Sequence, residues 1–208
     1  MMQTNSTTQQ RSLNTRQAIL EATLDCIDQW GYHRTSTNKI IEHAGVSRGA
    51  LLHHYPTKTE LISAAFAYLH ELVTAEVSAI VGRAENNKKA WPQLLDEIMG
   101  STFQGRLWDV FLEIMVASRT DQDLWQELIP TTKHYYESVD TVWHQHFTAD
   151  QPNPEHSEKV TTLLNLSMCV LRGLAVQRLL RDEPQYYNNV IGLWKGMLDE
   201  HEIQSDSE

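Results

Sequence analysis

The chain has 208 residues, 41% hydrophobic and 21% charged, the balance of a globular protein with room for one large or two modest domains. Two cysteines, Cys26 and Cys169, are too few for a disulfide framework or a structural zinc site, and both fall in apolar helical patterns that predict buried thiols. No apolar run approaches the roughly 20 residues of a membrane span and the polar start has no signal-peptide core, so the expectation is a cytoplasmic protein with no membrane partner.

The formal net charge of -10 argues against nucleic acid until it is divided along the chain. Residues 1–70 hold six Lys or Arg against five Asp or Glu, whereas residues 71–208 hold eleven against twenty-two, so all the excess acid lies in the second part. Between 30 and 59, Arg34, Lys39, Arg48 and Lys58 face the single acid Glu42, and five of the ten histidines lie between 33 and 70. Such asymmetry fits a module that faces nucleic acid, attached to something else.

In chain order, residues 1–12, rich in Gln, Thr, Ser and Asn, read as a disordered arm. Asn14 with Gln17 has capping-box spacing and opens a helix whose apolar residues Ile19, Ala22, Cys26, Ile27 and Trp30 share one face, stopped by Gly31. A short helix over 37–44 is followed by a Gly45-Val46 turn, and Ser47 caps a third that ends near Tyr55, before Pro56. Thr57 and Glu60 form another capping box and open a long helix over 58–81, which joins the head to the rest. After a linker at 82–90, helices are predicted over 91–100, 106–118, 121–149, 155–182 and 184–202, with Pro130 kinking or interrupting the third of these. No stretch alternates as a strand would.

Two short helices joined by a glycine turn, with a third packed across them, follow the helix-turn-helix plan. Ile40, Ile41, Ala44, Val46 and Leu51 can lock the pair, which leaves Asn38, Ser47, Arg48, Gly49, His53 and His54 facing outward. Arg can bond guanine O6 and N7 together, Asn, Ser and His can reach base edges or phosphates, and Gly49 keeps the helix slim for the major groove. Thr37 and Lys58 stand at helix starts, where backbone N–H groups favour a phosphate. Adjacent histidines point about 100° apart on a helix, so His53 and His54 are read as facing DNA or solvent; no metal site is predicted.

At these residues the segment resembles the DNA-binding domain of TetR-family repressors. The resemblance covers about residues 14–62: Thr15-Arg16-Gln17-Ala18-Ile19-Leu20, Gly31-Tyr32, Thr35-Ser36-Thr37, Ala44-Gly45-Val46-Ser47-Arg48-Gly49, His54-Tyr55 and Lys58. It departs at Leu52, where the family usually has a Tyr that touches a phosphate, and less sharply at Ile41, where Ala is usual. The resemblance implies an all-α chain with a three-helix head over 13–57, joined by the 58–81 helix to an effector-binding and dimerisation domain extending to 204. It implies a dimeric repressor of double-stranded operator DNA, modulated by a small-molecule effector, with no cofactor and no enzymatic activity. The residues expected at DNA are Thr37, Asn38, Ser47, Arg48, Gly49, His53, His54, Tyr55 and Lys58. An activator or effector-independent regulator would carry the same head, and a helical protein-binding adaptor is the more distant alternative.

No catalytic motif follows residue 70, and the region is rich in aromatics and methionines. Met99, Phe103, Trp108, Phe111, Met115, Trp125, Tyr136, Trp143 and Met168 are expected either as core or as walls of an effector pocket. Asp109 and Glu113 could neutralise a cationic effector. The helices over 155–182 and 184–202 carry so much apolar surface that they suit a two-fold seam, with Leu163, Leu164, Leu171, Leu174, Val190, Ile191, Trp194 and Met197 as candidates. TetR-like proteins dimerise through this pair.

Overall fold

The computed structural model describes residues 2–86, 91–147 and 153–200. Among them there are nine α-helices and no strand: α1 (Met2–Trp30), α2 (Thr37–Ala44), α3 (Arg48–His54), α4 (Lys58–Asn86), α5 (Trp91–Thr102), α6 (Arg106–Ser118), α7 (Gln122–Phe147), α8 (Pro154–Arg178) and α9 (Pro184–Glu200). The all-α expectation holds. The helices divide between two units, one comprising the residues up to Val73 together with Gly105–Tyr136, the other Thr74–Gln104 and the residues from Glu137 onward. Helices α4 and α7 each contribute to both.

Several boundaries differ from those predicted. Helix α1 begins at Met2, through the stretch expected to be a disordered arm, and Asn14 is no cap. Its carboxamide instead accepts from Gln10 Nε2 at 3.0 Å, and Thr15 Oγ1 donates to the Arg11 carbonyl at 2.9 Å, so these polar side chains bond within a continuing helix. Helix α4 runs on through Gly82 to Asn86, leaving 87–90 of the expected linker outside the described residues. Helix α7 passes uninterrupted through Pro130, whose lost bond would have gone to the carbonyl of Gln126; both residues are exposed, so water can serve that carbonyl.

In the first unit the core is the apolar face of α1 (Ile19, Leu24, Cys26, Ile27) packed with Ile40, Leu51, Leu61, Ile62, Phe66 and Leu69. Burial pushes the Cys26 thiol up to about 11, as expected of an inert core cysteine. Helix α6 is pinned to α1 by Arg106, which bonds Glu21 Oε2 at 3.0 Å and the carboxylate of Asp25. Asp25 also meets His43 Nε2 at 3.1 Å, so one carboxylate ties α2 and α6 to α1.

In the second unit Ile98, Met99, Trp143, Val160, Leu164, Leu171, Leu174, Tyr187 and Ile191 form the core. Trp194 Nε1 donates to Ser167 Oγ at 3.1 Å, and Lys195 pairs with Asp96 at 2.6 Å. Cys169 is exposed, against the expectation of burial, because it stands on the side of α8 away from this core. Two helices do reach the length and mean hydropathy of a membrane span, Lys58–Arg83 and Ser157–Arg178, each with 1.3 in its most apolar stretch, whereas the sequence reading finds none. Phe66 and Leu69 in one, and Leu164 and Leu171 in the other, are core residues, as in a helix buried on more than one side.

Candidate nucleic-acid interface

The α2–turn–α3 geometry is built by its caps. Ser36, rather than Thr37, is the N-cap of α2, its side chain accepting from Lys39 N, and Thr37 is the first helical residue. Gly45 closes α2 at φ 64°, a left-handed conformation that glycine adopts without a Cβ penalty. Ser47 then caps α3, accepting from Ala50 N at 3.2 Å, so the helix start is fixed within three residues of the preceding helix end. Buried Ile40 and Leu51 hold the two helices against α1.

This arrangement leaves Asn38, Ser47, Arg48, Gly49 and His53 exposed on one short motif, with Thr37 and His54 half-buried. The His53 and His54 rings meet edge to face at 5.3 Å. Leu52 is 43% exposed, so the residue in the family's tyrosine position presents an apolar side chain to solvent. Such a group can meet a thymine methyl but cannot hydrogen-bond a phosphate.

Two expected DNA residues are engaged in the protein. Tyr55 is buried, and its hydroxyl accepts from Arg16 Nε at 3.1 Å, which makes the ring part of the head's core. The Lys58 ammonium donates to the Tyr32 carbonyl at 3.4 Å and lies 4.6 Å from the centre of the Tyr32 ring. Burial lowers the pKa of Lys58, and the nearby Asp121 carboxylate works against that shift.

Tyr32 is the residue that motif reading undervalued. Its N–H donates to Glu113 Oε2 at 2.9 Å, its hydroxyl donates to Asp121 Oδ2 at 3.0 Å, and its carbonyl receives Lys58. Glu113 is therefore a structural acceptor. Desolvation, with the hydrogen bond to Asp121, pushes the Tyr32 phenol up to about 12. Asp121 lies below the usual carboxylate range because the Leu124 N–H and the Tyr32 hydroxyl both donate to it. The sequence signal was Gly31-Tyr32: Gly31 has φ 75°, and a Cβ there would come within 3.0 Å of Glu113 Oε2.

The effector candidates divide between the two units. Met99, Phe103, Trp143 and Met168 are core of the second unit and Trp108 is core of the first. Phe111 stacks between Trp108 and Phe66 at 5.5 and 5.8 Å. Met115, Trp125 and Tyr136 line an open cavity between α6 and α7. Of the seam candidates, Leu164, Leu171, Leu174 and Ile191 are already buried by their own unit, and Leu163, Val190 and Trp194 are half-buried. The apolar residues left outward are Leu166 and Val176 on α8 and Leu193 and Met197 on α9. Periodicity finds both stripes of an all-round apolar helix and cannot say which one its own chain covers.

A capped helix pair that exposes Arg48 and its neighbours on its second helix is a helix-turn-helix head of the kind that enters a DNA groove. Residues 19–65 match the family model of bacterial regulatory proteins of the tetR family. The transcriptional regulator CymR of Pseudomonas putida is 26% identical over 181 residues, 87% of each chain. An uncharacterized regulator of the same helix-turn-helix type from Mycobacterium tuberculosis is 36% identical over 126 residues, 59% of this chain and 62% of that one. Among solved structures, a putative TetR-family regulator from Rhodococcus has TM-score 0.63 at 20% identity, covering 90% of this chain and 97% of its own. A multidrug binding protein, EbrR, solved with imidazole, has TM-score 0.57 at 21% identity, covering 86% of this chain and 93% of its own. Residues 19–65 thus form a helix-turn-helix domain of the tetR family of bacterial regulatory proteins, in a chain similar to transcriptional regulators of that type along most of its length.

Proposed function

We propose that the protein is a dimeric repressor that binds a near-palindromic operator through α3 and is released or retained by a small-molecule effector. The observation that carries the DNA reading is the exposed row Asn38, Ser47, Arg48, Gly49 and His53 on a motif held rigid by Ser36, Gly45 and Ser47. In this reading Arg48 reads a base edge, Asn38 and Ser47 contact base or phosphate, and Leu52 meets a thymine methyl instead of a phosphate. Lys58 contributes to phosphate binding only after leaving Tyr32, so its share is smaller than its position at the start of α4 implies.

Dimerisation is supported by the outward face of α8 and α9. Leu166, Cys169, Gly173 and Val176 repeat at helical spacing on α8, and Leu193, Gly196 and Met197 do so on α9, all exposed in the single chain. Two such pairs form a four-helix seam about a two-fold axis. Effector control is supported by the open α6–α7 cavity and, as analogy, by the ligand-bound state of EbrR.

The test is fluorescence anisotropy of the full chain on DNA upstream of its own gene, at two salt concentrations, with random DNA as competitor. Binding that resists competitor and weakens steeply with salt supports the repressor reading. Binding no better than to random DNA refutes an operator there, and salt-independent binding refutes the DNA reading in favour of a protein-binding adaptor.

A further inference from the structure

Helices α6 and α7 enclose an open cavity of about 630 Å³, within the range of small-molecule sites. Its walls include Met115 from α6, Arg119 just past the end of that helix, and Trp125, Ile129, Lys133 and Tyr136 from α7, the last four along one face of α7. Met115, Trp125, Ile129 and Tyr136 are each 42–45% exposed, so four large apolar side chains are left short of burial in one place. Arg119 and Lys133 bring two cations to a cavity in the part of the chain that holds twenty-two acids against eleven bases.

We infer that this cavity binds a small single-ring carboxylate, its ring against Trp125 and Tyr136 and its carboxylate met by Arg119 and Lys133, and that occupancy is transmitted to the DNA-binding head through Asp121 and Tyr32. The inference rests on the effector-controlled reading above and gives that control a site, a ligand class and a route. The ligand class follows from the walls. Flat rings suit an aromatic body, the guanidinium fork of Arg119 matches a carboxylate, and a cationic ligand would meet like charge.

The route follows from the turn between the helices. Asp121 lies between Arg119 and Trp125 in sequence, accepts from Leu124 N at 3.0 Å through one carboxylate oxygen, and receives the Tyr32 hydroxyl on the other. Its carbonyl accepts from Trp125 N at 2.9 Å, so a shift of Trp125 is passed to Asp121 by the backbone. Tyr32 in turn holds Lys58 at the first residue of α4 and stands five residues before α2.

The experiment measures phenylacetate binding to the full chain by calorimetry, with uncharged phenylacetamide as control and with the double variant Arg119→Ala/Lys133→Ala. Release from a duplex enriched by the protein from random sequence is followed alongside. The expectation is saturable phenylacetate binding, weakened about tenfold or more for the amide and for the double variant, equal to about 1.4 kcal/mol or more. Circular dichroism and operator affinity without ligand stay unchanged in the double variant. Tyr32→Phe, which removes only the hydroxyl, retains phenylacetate binding but loses most of the ligand's effect on DNA.

Phenylacetate that fails to bind, or that binds the double variant equally well, overturns the site. If Ile129→Glu abolishes dimerisation, a second copy occupies the cavity and the site is again overturned. If another small molecule releases operator from the double variant as readily as from the wild type, the cavity assignment fails while effector control stands. If Tyr32→Phe responds like the wild type, the route through Asp121 is wrong.

Discussion

Gly49→Ala separates what α3 needs for folding from what it needs for DNA. A Cβ at Gly49 meets only Ser47 Oγ, at 4.0 Å, an ordinary contact, and the backbone there is in the right-handed helical region. Alanine exceeds glycine in helix propensity by at most about 1 kcal/mol, and less so near a helix end. For a chain of this size that gain raises Tm by no more than about 2–4 °C. In the proposed docking the same methyl group occupies the space through which the helix front approaches the groove. A forced displacement that breaks one bidentate base contact weakens the specific operator by about 1–3 kcal/mol, or about 5- to 150-fold. Anisotropy on specific and random duplexes gives the affinity, and thermal unfolding followed by circular dichroism gives Tm. The salt slope stays the same, since no phosphate contact is removed. An unchanged operator affinity with an unchanged or raised Tm would refute close approach of the α3 backbone to the bases.

Arg48→Ala weakens operator binding by about 1–3 kcal/mol and relaxes sequence preference at one base pair per half-site, which selection from randomised operators reads directly. Tyr32 makes the fold sensitive to alkali: its phenol is raised from 10.0 to about 12 in the folded chain, so its contribution to stability is complete below pH 10 and is lost as pH rises toward 12. Stability to urea across that window falls less steeply for Tyr32→Phe than for the wild type, and an unchanged slope would show that burial and the Asp121 bond do not hold the Tyr32 phenol protonated.

The local grammar of the head was legible in the sequence because it is local. Ser47, Gly45 and the apolar spacing of Ile40 and Leu51 fix α2, the turn and α3 within about twenty residues, and α6 has the boundaries its periodicity predicts. What was hidden depends on partners far along the chain. The bonds of Tyr32 to Glu113 and Asp121 and of Arg106 to Glu21 span 81, 89 and 85 residues, and they join α6 and the start of α7 to the same unit as the helix-turn-helix. No hydrophobic period encodes such pairs. The partner of Lys58 was hidden for the same reason: its place at a helix start is visible in sequence, but the Tyr32 carbonyl and ring that hold it are not.

The exposed thiol gives the seam its own test. Cys169 stands on the outward stripe of α8 with Leu166 and Gly173, whereas Cys26 is fully buried with its thiol raised to about 11. An isolated folded chain therefore exposes one reactive thiol and one inert one, and a thiol reagent takes up one equivalent before unfolding and the second only after it. If two copies meet through the α8 and α9 faces, Cys169 becomes shielded, and its modification proceeds through the dissociated fraction. Its rate then rises on dilution, as mass action requires of a reaction confined to the monomer. Leu193→Glu on the facing stripe of α9 buries a charge in the seam and disturbs nothing within the chain, where Leu193 is 69% exposed. That variant is expected to be monomeric by light scattering, equally stable at low concentration, and fast at Cys169 at every concentration. A wild-type dimer whose Cys169 reacts at the same rate at all concentrations would place the seam on another face. The exposed stripes of α8 and α9 would then need a different partner.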